Sequence, residues 1–301
     1  MLDLGRLRAL HAVHTYGSIG AAAEALGYTP SAVSQQISKL EREAGSVLLE
    51  RQGRGVSLTD AAQLLVSTAQ ELMRIVESAE VALEEQRGRP GGQLAMAAFP
   101  TAASGLLPRV LAELTAAHPS LDLRLVEVDA HLSVDLVLRG AVDLAVVHDW
   151  DIAPLPTPDR LAREVIGDDL CDVLVPAGHR LAGHRSLVRA DVARERWICQ
   201  PAGSVCHDWL VRTLRASGAE PDLAYQVSEF STQVALVAAG LGIALVPRLG
   251  RGAIPDEVRV IRLEPAPVRR LYALWREGAS RRPSIMAAVE RLRSHWPSAA
   301  A

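Results

Sequence analysis

A short run, Gly88-Arg89-Pro90-Gly91-Gly92, divides the chain into two halves with different periodicities. Proline has no N–H to give and glycine is poorly tolerated in helix interiors, so no regular element runs through this seam. Before it, apolar residues recur at helical spacing almost throughout. After it, short apolar strands alternate with helical stretches, the pattern of an α/β domain. With 301 residues the chain can bury more than one core. Its 49% hydrophobic and 22% charged composition excludes intrinsic disorder. No apolar run approaches the ~18–20 residues that cross a bilayer. The start, Met1-Leu2-Asp3-Leu4-Gly5-Arg6, lacks the basic and apolar regions of a secretory signal. Three cysteines are no disulfide framework. A cytoplasmic protein with no membrane partner is expected.

In the first half, Leu7, Leu10, Val13 and Tyr16 mark a helix from Leu4 to Tyr16. Ser18 caps a short helix, Ile19–Leu26, and Gly27-Tyr28 turns the chain. Thr29 caps a third helix with Pro30 in its first position, where a missing N–H costs nothing. Val33, Ile37 and Leu40 face inward; Ser31, Ser34, Gln35, Ser38 and Arg42 form the opposite stripe. Short hydroxyls for close approach, an amide able to read base edges and a neighbouring Lys39 for phosphate suit a major groove. The same stripe would also suit the solvated face of a helical bundle. The helix–turn–helix spacing and a following hairpin favour DNA. That hairpin is expected as Val47–Glu50, a tip at Arg51-Gln52-Gly53-Arg54-Gly55, and Val56–Leu58. Residues 1–65 hold six basic and six acidic side chains, so only local clustering of Lys39, Arg42, Arg51 and Arg54 can attract DNA.

From Asp60 to Gln86, with Thr59 as cap, Leu64, Leu65, Leu72, Ile75/Val76, Ala79 and Leu83 form one apolar stripe. Such a helix runs roughly 40 Å and needs a partner. It either packs on the second half of the chain or pairs with its twin. Dimerisation is favoured because only the hinge joins it to that second half.

In the second half, strands are expected at Leu94–Ala98, Leu121–Val128, Leu144–Val147, Asp172–Pro176, Trp197–Cys199, Ala224–Val227 and Ile243–Val246. Helices are expected at Gly105–Ala117, His131–Arg139, Trp209–Ser217 and Thr232–Ala239. Three strand-to-helix turns stand out: Phe99-Pro100-Thr101-Ala102-Ala103-Ser104, Gln200-Pro201-Ala202-Gly203-Ser204 and Ser228-Glu229-Phe230-Ser231-Thr232. Each places N–H groups and hydroxyls at a helix N-terminus, where a carboxylate or phosphate is stabilised. Taken singly, these hydroxyls more often just cap their helices. No Gly-x-Ser-x-Gly, phosphate loop or metal-ligand spacing is present, so neither an enzyme, a cofactor nor a metal is expected. A solute-binding protein would account for the second half alone, but the helix–turn–helix opposes it.

The chain resembles the LysR-type transcriptional regulators. In the first half the resemblance rests on Leu10, Val13, Ser18, Ala22-Ala23, Leu26, Ser31-Ala32-Val33-Ser34-Gln35-Gln36-Ile37, Leu40-Glu41, Gly45, Leu48, Arg51 and Leu58-Thr59. Pro30 stands where the family usually has Gln. In the second half it rests on Leu106-Leu107-Pro108, His118-Pro119, Gly140 with Asp143-Leu144-Ala145, Pro176 with His179-Arg180-Leu181, and Ala239 through Pro247.

The resemblance implies a winged helix–turn–helix over residues 1–59, with Ser31, Ser34, Gln35, Gln36, Ser38, Lys39, Arg42, Arg51 and Arg54 at DNA. It implies a dimerising linker helix over 60–88 and an effector domain over 93–301, resembling periplasmic binding proteins. That domain comprises two α/β subdomains, 93–165 with 267–301 and 166–266, sharing a cleft. Thr101, Ser104, Ser204 and Thr232 are carried over as effector contacts, His148 and Pro247 as rim, with Pro100, Gln200 and Phe230 from the same turns. A small, anionic effector would shift the population of DNA-reading states. Double-stranded DNA, the effector and a homodimer or homotetramer are the expected partners, with RNA polymerase a further one. Cys206, near a helix N-terminus, resembles the reactive cysteine of peroxide-sensing members, and Cys199 lies across the same turn. However, Val205 replaces those sensors' His and no Cys follows within a dozen residues, so a buried apolar role is favoured over a redox one.

Overall fold

The computed structural model of the chain describes residues 1–52, 55–152 and 154–296, apart from the side chains of residues 51, 52, 55 and 77. It divides into two units, Met1–Gln86 and a second beginning at Arg87.

In the first unit, α1 (Leu4–Tyr16), α2 (Ile19–Leu26) and α3 (Pro30–Ala44) precede the hairpin β1 (Leu49–Gln52) and β2 (Gly55–Leu58), and α4 (Asp60–Arg87) comes after it. Side-chain caps start the helices: Ser18 accepts from the Ala21 N–H at 3.1 Å, Thr29 from Ala32 at 3.2 Å and Thr59 from Ala62 at 3.2 Å. Gly27, at φ +68°, ends α2 in the left-handed conformation that lets α3 begin three residues later. Leu7, Leu10, Val13, Ala22, Ala23, Val33, Ile37, Leu40 and Leu48 form the core. The small Ala22-Ala23 pair allows α2 to approach its neighbours closely.

The hairpin starts two residues later than expected. Val47 is exposed, and Leu48 and Leu49 give their N–H groups to the Glu41 carboxylate at 2.9 and 3.3 Å. A side chain of α3 therefore replaces a strand partner at the entry to β1.

At 28 residues α4 is about 42 Å long. Ala62, Val66 and Ala69 are buried in the first unit's core, with Leu65 packed against it. Most of the stripe read from the sequence, namely Leu64, Leu72, Ile75, Val76 and Leu83, is exposed instead. The helix carries two apolar faces: the sequence pattern picked out the exposed one and passed over the buried Ala62, Val66 and Ala69.

The second unit holds β3 (Gly92–Ala98), α5 (Pro100–Gly105), α6 (Leu107–Ala117), β4 (Leu121–Glu127), α7 (Ala130–Leu138), β5 (Leu144–Trp150) and β6 (Leu161–Pro176). Next come β7 (Ser186–Val188), α8 (Arg189–Val192), β8 (Arg196–Cys199), α9 (Val205–Ala216), β9 (Asp222–Gln226), α10 (Phe230–Ala238), β10 (Ile243–Pro247), β11 (Val258–Glu264), β12 (Val268–Arg276) and α11 (Pro283–Ser294). The strand order is β4-β3-β5-β12-β6-β10-β8-β9, with β11 on β6 and β7 on β11.

The 16-residue β6 belongs to two half-sheets: Leu161–Leu170 pairs with β12, and Cys171–Pro176 with β10 and β11. The chain passes between the halves along β6 and again between β11 and β12. Within each half the outer strands run parallel, β4-β3-β5 in one and β9-β8-β10 in the other. Parallel strands with helical crossovers put their strand-to-helix turns at the carboxyl edge, where such sheets hold ligands.

The expected helix Gly105–Ala117 starts two residues later, as α6: Leu106 separates it from α5, which ends at Gly105, and Pro108 fits its first turn. Among the described residues, no helix is long and apolar enough to cross a membrane, and no group of His, Cys, Asp and Glu could hold a metal.

Candidate functional site

On α3, the buried Val33, Ile37 and Leu40 turn the opposite stripe outward. Ser31, Gln35, Ser38, Lys39 and Arg42 are exposed, whereas Ser34 and Gln36 are half-buried beside the core stripe. Ser31 shares a 3.0 Å hydrogen bond with the capping Thr29, and the Arg42 Nε donates to the Ser38 carbonyl at 3.3 Å. Two of the acidic side chains that seemed to cancel the local positive charge are engaged. Glu41 accepts the two hairpin N–H groups, and Glu43 pairs with Arg6 of α1. Lys39 and Arg42 are thereby left as the exposed charges of the stripe. Arg54 and the Arg51 side chain lie outside the described residues.

In the second unit, a cavity of about 230 Å³ opens where the turns at the strand carboxyl ends converge. The turn after β3 supplies Phe99, Pro100 and Thr101, and the end of β4 with the turn after it supplies Glu127, Val128 and Asp129. The turn after β8 supplies Gln200 and Ser204, with Cys206 just inside α9; the turn after β9 supplies Ser228 and Phe230. His148 of β5 and Arg269 of β12 complete the lining.

Arg269 dominates the electrostatics. It is 1% exposed. Its Nε donates to Asp169 Oδ2 at 2.8 Å, and its Nη2 donates to the Thr101 hydroxyl at 2.6 Å. Asp169 Oδ1 also accepts from the Leu249 N–H at 3.0 Å. A buried ion pair holds only when hydrogen bonds satisfy its remaining atoms, and here the backbone of a third element does so.

The turn containing Leu249 lies against α5. A Cβ on Gly250 would come within 2.7 Å of the Thr101 carbonyl, and one on Gly105 within 2.6 Å of the Gly250 nitrogen. These glycines bring Leu249, Asp169, Arg269 and Thr101 into one ring of contacts. The guanidinium carbon of Arg269 sits 5.0 Å from the Phe99 ring centroid, and Phe99 meets His148 edge-on at 4.6 Å. Burial pushes the His148 imidazole well below its ordinary range, and the Arg269 charge adds to this. His148 is therefore a neutral ring, and its buried Nδ1 has no hydrogen-bond partner among the described residues.

Pro100, Thr101, His148, Gln200, Ser204 and Phe230, all singled out in the sequence, line this cavity. Ser104, Thr232 and Pro247 do not. Ser104 turns its hydroxyl to the Pro100 carbonyl at 2.9 Å, inside its own helix. Thr232 is exposed on α10, which buries Gln233 and Val234 instead. Pro247 lines a separate, smaller cavity of about 20 Å³ with Trp150, Cys171, Cys199, Cys206 and Phe230. Ser204 is already engaged as a cap: it accepts from the His207 N–H at 3.2 Å and donates to the Pro201 carbonyl at 2.9 Å. Gln200 ties two of the turns together through the Ser228 carbonyl at 2.6 Å.

Arg269 and Asp169 escaped the sequence reading. Their signal was a charged residue at each chain crossing, Asp169 within β6 and Arg269 at the start of β12, in strands too polar to be recognised as core. Cys171, Cys199 and Cys206 all have their thiols pushed up by burial, Cys199 to about 11. This disfavours the thiolate that redox chemistry at Cys206 or Cys199 requires.

Residues 4–63 match the bacterial regulatory helix-turn-helix proteins of the lysR family, and residues 87–297 match the LysR substrate binding domain. The chain is 31% identical to a probable HTH-type transcriptional regulator, LrrA, of Synechococcus elongatus, over 98% of both chains. It is 30% identical to a probable hydrogen peroxide-inducible genes activator of Mycobacterium leprae, over 92% of this chain and 89% of the relative. A full-length OxyR variant of Pseudomonas aeruginosa shares the fold with a TM-score of 0.67 at 22% identity, covering 97% of this chain and 98% of that one. An exposed polar helix face beside a hairpin, a long helix and a ligand-sized α/β cavity thus come with matches along almost the entire chain: it belongs to the LysR family of DNA-binding transcriptional regulators, which are not enzymes.

Proposed function

We propose that this regulator's DNA binding is controlled by a small, anionic effector held in the 230 Å³ cavity, at Arg269 and the Thr101 turn. The observation that carries this reading is a guanidinium 1% exposed that lines the cavity with only part of its donor fork engaged. Ser31, Gln35, Ser38, Lys39 and Arg42 make up the base-reading and phosphate-contacting face, with Ser34 and Gln36 beside it; Arg51 and Arg54 are assigned to DNA from the sequence alone. The exposed Leu64, Leu72, Ile75, Val76 and Leu83 of α4 pair with a second copy in a homodimer or homotetramer. The cytoplasm is where such a protein meets its DNA, and RNA polymerase is the further partner.

Gel shifts on the DNA upstream of its own gene, with and without small carboxylates, test this reading. An effect of carboxylate that Arg269→Met removes, with basal DNA binding retained, supports it. Binding that no carboxylate alters argues against it.

A second reading, a thiol switch at Cys206, draws on the name of the Mycobacterium leprae relative and on the place of Cys206 in both cavity walls. The elevated thiols weigh against it. Alkylation of Cys206 that leaves the effector response intact rejects it.

A further inference from the structure

We propose that the effector is a zwitterion of amino-acid size, its carboxylate held by Arg269 and Thr101 and its ammonium by Glu127 and Asp129. This deepens the anionic-effector reading and rests on it.

The charge distribution of the cavity carries the argument. Arg269 is its only cationic lining residue among those described, since His148 is neutral, and the Arg269 charge is already balanced by Asp169 at 2.8 Å. What remains is negative. Glu127 and Asp129 both line the cavity, and neither has an ion-pair partner among the described residues. Asp129 commits one oxygen, Oδ1, to the Ala130 N–H at 2.9 Å. A simple dianion entering this site would meet two carboxylates without a compensating cation. A ligand that brings its own positive charge turns both from a cost into attraction. Arg269 still offers the unused donors of its fork to a carboxylate, the planar recognition for which arginine is suited.

His148 is an independent sign of a ligand. The ring is 3% exposed, it lines the cavity, and its Nδ1 has no partner among the described residues. A buried polar atom left unpaired is costly, and a bound ligand carrying both donors and acceptors removes that cost. The volume agrees: about 230 Å³ lies below the roughly 300–1,000 Å³ of drug-sized pockets, and the Phe99 and Phe230 rings give an apolar wall for a short side chain.

The test is a thermal-shift series on the full chain. One set is the twenty common L-amino acids, each beside its N-acetyl derivative and its carboxamide. The other is succinate, malonate, benzoate and putrescine. At least one free amino acid should raise the melting temperature by a few degrees, and its two blocked forms should not. Glu127→Gln and Asp129→Asn, the latter keeping the cap oxygen, should each weaken binding of that amino acid about tenfold or more. Both variants should leave the unliganded melting temperature unchanged.

If succinate, malonate or benzoate stabilises the chain and no amino acid does, the zwitterion inference fails while the anionic effector stands. If putrescine alone stabilises it, or if no probe of either set does, both fall. Amino-acid binding that survives the two carboxylate substitutions also overturns the inference.

Discussion

The Nε of Arg269 lies 2.8 Å from Oδ2 of Asp169, with side chains 1% and 3% exposed, joining the start of β12 to the middle of β6. The two strands belong to the segments by which the chain passes from one half-sheet to the other. The pair thus fixes the crossing and presents a cation to the cavity at the same time. Removing one member leaves the other buried without its partner, at a cost of about 3–5 kcal/mol. Arg269→Met and Asp169→Leu should each lower stability to urea by that order, and the double variant should lose clearly less than the two losses combined. Strictly additive losses would mean that the two charges do not act as a pair.

Gln35 and Ile37 stand two residues apart on α3 and should respond oppositely. Gln35 is exposed, so Gln35→Ala should leave the melting temperature unchanged and reduce discrimination between operator and altered bases, by about 1–3 kcal/mol for one amide–base contact. Ile37 is 3% exposed in the core, so Ile37→Ala should cost about 2–5 kcal/mol of stability. Competition gel shifts and thermal melts separate the two. Site preference unchanged in Gln35→Ala would remove α3 from the groove.

Glu41 is the hinge pin of the hairpin. Its carboxylate takes the N–H groups of Leu48 and Leu49, so Glu41→Ala leaves a donor at 2.9 Å without its acceptor, next to the buried Leu48. A stability loss of about 1–3 kcal/mol is expected. DNA affinity should fall on all sequences alike, because the hairpin is displaced while the α3 stripe is intact. Affinity rising through the loss of one negative charge would show that the carboxylate acts by its field rather than by its bonds.

The first three helices were readable to their ends because those ends are set by local chemistry. Ser18, Thr29 and Thr59 cap the helices they precede, and the Val33-Ile37-Leu40 period alone orients α3. The stripe of α4 was only half readable, since a periodicity shows which residues are apolar and not whether Leu64 or Val66 finds a partner within the chain. The turns around Thr101, Gln200 and Ser204 were readable as proline- and hydroxyl-bearing breaks between a strand and a helix. Ser104 and Thr232 lie in equivalent turns, but their direction depends on helix phase, and both turn away from the cavity. Arg269 was unreadable because its partners, Asp169 and Thr101, lie 100 and 168 residues away.

The cysteines should be unreactive in the folded chain. Burial pushes the Cys206 thiol up despite the lowering effects of Arg269 and Trp150, and pushes Cys199 to about 11. Labelling with iodoacetamide at pH 7.5 should be slow in the native protein and fast in urea, when followed by mass spectrometry. Hydrogen peroxide should leave operator affinity unchanged, in the parent chain as in Cys206→Ser. A peroxide-dependent shift that Cys206→Ser abolishes would restore the thiol switch.

His148 should make stability depend on pH near neutrality. Its folded-state pKa is depressed well below 6.5 by burial and by the Arg269 charge, whereas an unfolded histidine titrates near 6.5. Below about pH 6.5 the unfolded chain therefore binds a proton that the folded chain refuses, and the stability is drawn down as the pH falls. The contribution is fully present above the unfolded value. Its slope approaches about 1.4 kcal/mol per pH unit well below that value, until the folded pKa is reached. Other ionisable groups add their own slopes, so the measurement is a difference. Urea midpoints between pH 7.5 and 5 for the parent chain and for His148→Gln should diverge, the parent losing more on acidification because glutamine has no proton to take up. Parallel curves would mean that the folded ring accepts its proton at no cost, and hence that the cavity wall is wetter than the 3% exposure of His148 implies.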